Sequence, residues 1–292
     1  MKEEIVVRPA RNSDREAVFK FCEKTWSWGD YIPQFWDKWM KETDGKIFVA
    51  TINSVPVGMS HVRVDKRKKE AWLSAARTAP EHRRKGIATA IAKECMKYAK
   101  RNGAVKARLV TSSDNKAARI VLQKLGFTPI AEFVEMKTEK IRRLDSLKSR
   151  WGRAEDLNAL WKFLQESNIF QRSAGLYTIL FRWYSLTRED LERFLREKKA
   201  IVYEGDAQIQ GLILIDDSTA RMWQENTLQT CYVDGSREAI IDMLSFLLTR
   251  CFEAGTRKVY GFACNDESLV SAMKEAGFEA PEGVEIVYEK EL

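Results

Sequence analysis

The sequence predicts an α+β fold: two similar units in tandem, each a central mixed β-sheet flanked by helices. Three recurrences, in the same order in each half, predict it. "RNSDREA" (Arg11–Ala17) and "RAEDLNA" (Arg153–Ala159) share the pattern R-x-x-D-x-x-A. Each opens an amphipathic helix with the aspartate near its first turn. "IFVATINSVPVG" (Ile47–Gly58) and "AIVYEGDAQIQG" (Ala200–Gly211) match in length, and both read as an apolar run, a turn and a second strand ending in glycine. "LQKLGF" (Leu122–Phe127) and "MKEAGF" (Met273–Phe278) each end a helix at a glycine, where the helix C-terminus calls for positive φ. The expected domains are residues 1–140 and 141–292, joined through the charged stretch from Lys137 to Arg150.

The bulk properties agree with this division. A length of 292 residues suits two domains, and a hydrophobic content of 45% suffices for packed cores. Lys+Arg 49 against Asp+Glu 42 gives a net charge of +7, a balance that can draw an anionic ligand. No nucleic-acid motif stands out, so no nucleic-acid partner is expected. The five cysteines are scattered without a C-x-x-C pair, and the only histidines are His61 and His82. Neither a metal site nor a disulfide framework is therefore expected. "MKEEIVVRPA" lacks the apolar core of a signal peptide, and no apolar run approaches the ~18 residues of a membrane span. The expectation is a cytoplasmic protein with reduced thiols, monomeric or a homodimer, with no membrane partner.

In the first unit the expected order begins with a strand at Ile5–Arg8 and helices through the Trp-rich region Ala17–Lys41. Three strands follow, at Lys46–Asn53, Val55–Val64 and Ala71–Thr78. Then come a helix over Lys85–Arg101, a strand at Ala107–Thr111, a helix over Asn115–Lys124 and a strand at Ala131–Met136. Ile87, Ile91, Cys95 and Tyr98/Ala99 recur at the spacing of one buried helix face; Cys95 is thereby a packing residue.

At the junction of the third strand with that helix stands "APEHRRKGIATAIAKECM" (Ala79–Met96), which gathers Arg83, Arg84, Lys85 and Gly86 where the helix dipole is already positive. Such a start becomes favourable once an anion joins it, because its N–H groups lack partners. Gly86 and Ala88 let an oxygen-bearing group approach the backbone. The dinucleotide fingerprint G-x-G-x-x-G is absent, and so is the P-loop G-K-[ST].

Over about residues 4–137 the chain resembles the GNAT superfamily of N-acetyltransferases. The resemblance rests on "VVRPARNSDREAV", "ARTAPEHR", R-x-x-G-x-A and "SSDNKAARIVLQKLGF" in that order. It implies acetyl-CoA as cofactor, with Arg83, Arg84, Lys85, Gly86, Ile87, Ala88 and Thr89 in the loop that cradles its pyrophosphate. It further implies that Ala76, Arg77 and Thr78 form the strand end that pairs with the pantetheine arm and polarises the thioester carbonyl. Asn115 matches the asparagine that contacts the cofactor from the next turn.

The usual proton handlers of the family are missing: Leu122 stands where many relatives have a tyrosine, and Val110 where some have a glutamate. Either another strand supplies the base, with Glu70 and His61 as candidates, or bound water relays the proton while proximity supplies most of the rate. The segment "TWSWGDYIPQFWDKW" (Thr25–Trp39) occupies the stretch that walls the acceptor pocket in the family. Trp28 and Tyr31 offer flat apolar walls there, and Asp30 a seat for a cationic amine. The resemblance implies acetyl transfer to a primary amine of a small molecule or amino acid, by direct attack in a ternary complex. A protein lysine or N-terminus as acceptor, and a non-catalytic acetyl-CoA sensor, are the alternatives.

In the second half the corresponding place reads "CYVDGSREAIIDML", where R-x-x-G-x-A is gone and Asp234 and Glu238 stand nearby. Acids at a helix start suit the dipole and repel pyrophosphate. This unit is expected to be a degenerate copy that binds no cofactor and either completes an acceptor pocket with the aromatics of "FRWYSL" or simply stabilises the first domain.

Overall fold

The two R-x-x-D motifs fold alike. In the first, Arg8 donates to Asp14 through both terminal nitrogens, at 2.7 and 2.8 Å, and the Arg11 amide donates to the same carboxylate at 2.7 Å. In the second, Arg150 donates to Asp156 at 2.7 and 2.9 Å, and the Arg153 amide at 2.7 Å. Each carboxylate thus ties a strand to the helix it precedes and satisfies a donor that the helix start leaves over. The two Gly-Phe motifs also coincide. Gly126 and Gly277 take φ values of 77° and 96°, and Phe127 and Phe278 donate back to Leu122 and Met273, both at 3.0 Å.

The computed structural model describes residues 4–23, 25–27, 29–146, 148–206, 208–218 and 226–292. By internal contacts the chain forms two units that interleave in sequence. The first holds Met1–Leu109, Lys116–Thr128 and Tyr288–Leu292; the second holds Val110–Asn115 and Pro129–Val287. Among the described residues no helix is long and apolar enough to cross a membrane.

The first unit runs β1 (Val6–Pro9), α1 (Arg15–Cys22), α2 (Ile32–Lys41), β2 (Gly45–Ile52), β3 (Val55–Asp65), β4 (Glu70–Thr78), α3 (Ile87–Arg101), β5 (Lys106–Ser112) and α4 (Lys116–Lys124). The strands lie in the order β1-β2-β3-β4-β5, antiparallel except for the parallel pair β4/β5. Helix α3 buries Ile87, Ile91, Cys95 and Ala99, as the spacing predicts. It seats against β3 at Gly58, where a Cβ would lie 2.7 Å from the Ile87 side chain. Val18, Cys22, Ile32, Trp36 and Trp39 of α1 and α2 form a separate core with Ile47, Val49 and Met59. Burial holds the Cys22 and Cys95 thiols up at about 12, so both serve packing.

The second unit continues through β6 (Thr128–Thr138), β7 (Ser149–Trp151), α5 (Leu157–Glu166), α6 (Asn168–Arg172), β8 (Leu176–Ile179), β9 (Arg182–Ser185) and α7 (Arg188–Arg196). It goes on with β10 (Ala200–Gly205), β11 (Gln208–Asp216), β12 (Thr227–Gly235), α8 (Arg237–Glu253), β13 (Lys258–Cys264) and α9 (Glu267–Glu275); the last strand, β14 (Glu285–Glu291), passes to the first unit after Val287. Its strand order β7-β10-β11-β12-β13-β6 repeats the first plan, with β12/β13 as the parallel pair. Gly211 does for α8 what Gly58 does for α3: a Cβ there would meet Met243 at 2.6 Å.

The contact boundaries differ from a division at residue 140. Strand β6, expected to close the first domain, pairs with β13 from Phe133–Cys264 to Thr138–Val259 and so belongs with the second unit. Conversely, Tyr288–Leu292 belong with the first, where the Glu289 carboxylate accepts from buried Arg108 at 2.6 Å.

Candidate active site

Strand β4 is paired with β5 only from Glu70–Lys106 to Trp72–Arg108. Beyond Trp72 no ladder joins the two among the described residues, so that edge of β4 keeps its N–H and C=O groups for another partner. The other edge is irregular as well. Met59 lies opposite Arg77 and His61 opposite Ser74, leaving Ala75 and Ala76 against Ser60 alone. Ala75 has φ 56°, so this is a bulge carried by a non-glycine residue in the left-handed region. The Ser60 hydroxyl donates to the Ser74 carbonyl at 2.9 Å and holds the distortion in place. Ala76, Arg77 and Thr78 follow directly.

From Thr78 the chain passes through a short 3-10 turn at Pro80–His82 to the loop ahead of α3. Arg84 (φ 62°) and Gly86 (φ 84°) are both left-handed, and Arg83 to Gly86 are exposed. Gly86 is the N-cap and supplies no capping side chain, so the Ile87, Ala88 and Thr89 amides have no intrahelical acceptor. A Cβ built on Gly86 would meet nothing within 4 Å. The cradle is therefore open, uncapped and basic, which fits a diphosphate.

Asp30 is not available to a substrate amine. Arg77 donates to it from Nε at 2.7 Å and from Nη2 at 3.3 Å, and only 1% of the Asp30 side chain is exposed. The Arg77 guanidinium also lies over the Trp26 ring at 4.4 Å and the Tyr31 ring at 5.4 Å. Burial alone would lower its pKa, but the Asp30 hydrogen bonds and charge outweigh that and raise it. Tyr31 is where an aromatic wall was expected, stacked on Trp26 and edge-on to Phe35 and Trp39. Trp28, the other expected wall, lies outside the described residues.

The two candidate bases fare differently. Glu70 begins β4, about 20 Å along the strand from Ala76 at ~3.3 Å per residue. Its carboxylate faces Arg108 at 2.9 Å, so it neutralises a buried cation in the closed part of the sheet. His61 is fully buried but lies opposite the bulge. Its Nε2 is 2.9 Å from Glu42 Oε2, its Nδ1 is 3.3 Å from Ser74 Oγ, and its ring stacks on Trp39 at 4.6 Å. Asn115 is exposed before α4, its amide donating to Ser112 O at 3.0 Å, and falls by contacts in the second unit.

Residues 15–127 match the model of the acetyltransferase (GNAT) family. This segment is a GNAT acetyltransferase domain. The GNAT domain makes the protein an acyltransferase whose reaction is acetyl transfer. Nearly the whole chain superposes on solved GNAT structures. A GCN5-related N-acetyltransferase from Sphaerobacter thermophilus gives a TM-score of 0.64 at 11% identity, covering 98% of this chain and 95% of that one. A tandem GNAT protein from the clavulanic acid biosynthesis pathway gives 0.53 at 13%, covering 99% and 98%. A glucosamine N-acetyltransferase region of a fungal multi-domain β-N-acetylglucosaminidase gives 0.64 at 13%, covering 99% of this chain and 38% of that one. At such identities these likenesses establish a tandem GNAT fold. No curated protein matches the chain.

The second GNAT-like unit is built differently at the corresponding junction. Where Ala79–Gly86 separates β4 from α3, Ser236 alone separates β12 from α8. The Ser236 hydroxyl accepts from the Ala239 amide, so this helix start is capped from within. Gly235 is pressed against β11, its Cβ position 2.9 Å from Gln210 O. In place of Arg77 stands buried Asp234, which accepts from Tyr232 Oη at 2.5 Å and Ser167 Oγ at 2.7 Å; burial raises its pKa. Of the "FRWYSL" aromatics, Trp183 is buried against Phe133 and Phe262.

Sequence reasoning missed Ser74 and Glu42. The alternation of β4 offers a faint signal for Ser74, a small polar residue between Trp72 and the strand end. Glu42, just past α2, carries no such mark.

Proposed function

We propose that the first domain transfers the acetyl group of acetyl-CoA to a primary amine of a small molecule or amino acid. In this reading the Arg83–Thr89 loop holds the pyrophosphate, with amides of α3 as donors and Arg84 and Lys85 as point charges. Ala76 to Thr78 offer strand edge to the pantetheine arm. Bound there, acetyl-CoA supplies a thioester whose C–S bond breaks as the amine forms its C–N bond, with no covalent enzyme intermediate. The carrying observation is the uncapped start of α3 beside a strand edge that β5 leaves unpaired.

The acceptor approaches from the α1/α2 side of β4. Arg77, fixed by Asp30 and faced by Trp26 and Tyr31, shapes that approach, while Asp30 itself holds no amine. The second unit acts as a degenerate copy without cofactor: its own Ser236 occupies the cap that acetyl-CoA needs, and the loop that could surround a diphosphate is absent.

The test is thiol release from acetyl-CoA with a panel of amino acids, polyamines, aminoglycosides and peptides, alongside calorimetric binding of acetyl-CoA. Gly86→Glu should abolish binding, because it places bulk and negative charge in the cradle. Undiminished affinity in that variant sinks the assigned loop. Release with peptides alone would shift the acceptor to a protein amine, and tight binding without release across the panel would end the small-amine reading.

A further inference from the structure

We infer that Ser74, His61 and Glu42 form a proton relay that takes the first proton from the acceptor ammonium. The inference rests on the acetyl-transfer reading above and supplies a base where Val110 replaces the family's glutamate. The three side chains come from β4, β3 and the end of α2, all within the first unit.

Geometry sets the direction of the relay. A carboxylate accepts only, so at 2.9 Å from Glu42 the His61 Nε2 carries the proton. In the neutral ring that tautomer leaves a lone pair on Nδ1, 3.3 Å from Ser74 Oγ, able to accept from the hydroxyl. The Ser74 oxygen then has lone pairs for an incoming N–H. Ser74 is half-buried while His61 is fully buried, so the serine is the end that a substrate can reach. It directly precedes the Ala75 bulge, about 7 Å along the strand from Ala76 at ~3.3 Å per residue. Its side chain shares the face of His61 and Arg77, the face covered by α2 rather than α3.

The surroundings keep the imidazole in place. Trp39 stacks on it, and Gly45 lets Glu42 close on the ring, since a Cβ there would fall within 2.9 Å of both Glu42 Oε2 and His61 Nε2. Glu42 at the end of α2 faces the ring with its carboxylate; β4 presents the Ser74 hydroxyl, and β2 presents Gly45 and, opposite in register, Ile47.

The proton count closes. The ammonium passes one proton to Ser74 Oγ as the Ser74 hydroxyl proton moves to His61 Nδ1, giving an imidazolium beside the Glu42 carboxylate. The neutral amine forms the C–N bond as the C–S bond breaks, and its second proton leaves with the thiol. His61 then returns its proton through Ser74 to solvent. Ser74 is the group that touches substrate; His61 and Glu42 act through it.

The test compares wild type with Ser74→Ala and Ser74→Thr, using the acceptor found in the panel. Ser74→Ala should lower kcat at pH 7 by about 10²–10⁴-fold, the usual worth of a general base, with the KM for acetyl-CoA unchanged. The loss should shrink as pH approaches the ammonium pKa of the acceptor, because neutral amine then needs no relay. Ser74→Thr, which keeps the hydroxyl, should restore most of the rate. A readout independent of turnover is the ¹⁵N spectrum of the two imidazoles: the His61 Nδ1 signal should move in Ser74→Ala and return in Ser74→Thr. Wild-type kcat in Ser74→Ala, or a loss equal at every pH, overturns the relay while leaving acetyl transfer standing. A burst of CoA without acceptor that leaves Ser74 acetylated overturns it in favour of a covalent route. No release by wild type with any amine ends the acetyl-transfer reading, and the relay with it.

Discussion

At the residue scale, Arg77 and Asp30 form a buried ion pair at the end of β4, faced by Trp26 and Tyr31. An arginine left buried against two aromatic rings is costly without its carboxylate, and removal of one member of a buried pair typically costs 3–5 kcal/mol. The Arg77 side chain keeps some exposure, 15%, so the lower end applies. Asp30→Ala should destabilise the first unit by about 3 kcal/mol in urea unfolding followed by tryptophan fluorescence. A change under about 0.5 kcal/mol, the scale of ordinary surface substitutions, would show that the pair contributes little. The pair also shows why a sequence misleads here. Asp30 looks free among aromatics, yet its partner lies 47 residues away on β4.

At the element scale, the strand-to-helix junctions carry the repeat. Burial acts to raise the Asp14 carboxyl, but the bonds from Arg8 and the Arg11 amide outweigh it and hold it below its ordinary value. For Asp156 the bonds from Arg150 are the largest influence, again lowering it against burial. A depressed folded-state value means stability that is present above the unfolded carboxylate range, near 3.9, and lost as pH falls through the folded value. Urea midpoints should therefore drop below about pH 4, and the Asp14→Asn/Asp156→Asn double variant should show a flatter acid slope. An acid slope unchanged in the double variant would remove these carboxylates from the account. Both junctions were legible in the sequence because each contact closes within six residues. The glycine helix ends were legible for the same reason. The Ala75 bulge was not, since alanine gives no sign that it will adopt φ 56°. The Ser74–His61–Glu42 chain was only partly legible: His61 stood out as one of two histidines, but its partners lie 13 and 19 residues away on other elements.

At the scale of the whole molecule, two copies of one plan differ at the same junction. One helix start is open, basic and uncapped; the other is sealed by Ser236. Calorimetry should therefore find one acetyl-CoA per chain, and two would contradict the degenerate reading of the second unit. The copies also interleave, because the chain's last residues return to the first unit. There Arg108, 3% exposed, is neutralised by Glu70 at 2.9 Å and Glu289 at 2.6 Å. Two carboxylates around one buried guanidinium, with Lys106 3.6 Å from Glu289, balance in charge; the loss of either leaves a cation short of partners in low dielectric. Glu289→Ala should cost about 3 kcal/mol in the full chain. A fragment of residues 1–140, which has the whole loop and β4 but lacks Glu289, should give no cooperative thermal transition by circular dichroism. A fragment that melts as sharply as the full chain, and at the same temperature, would show that the C-terminal strand is not needed to complete the acetyltransferase domain.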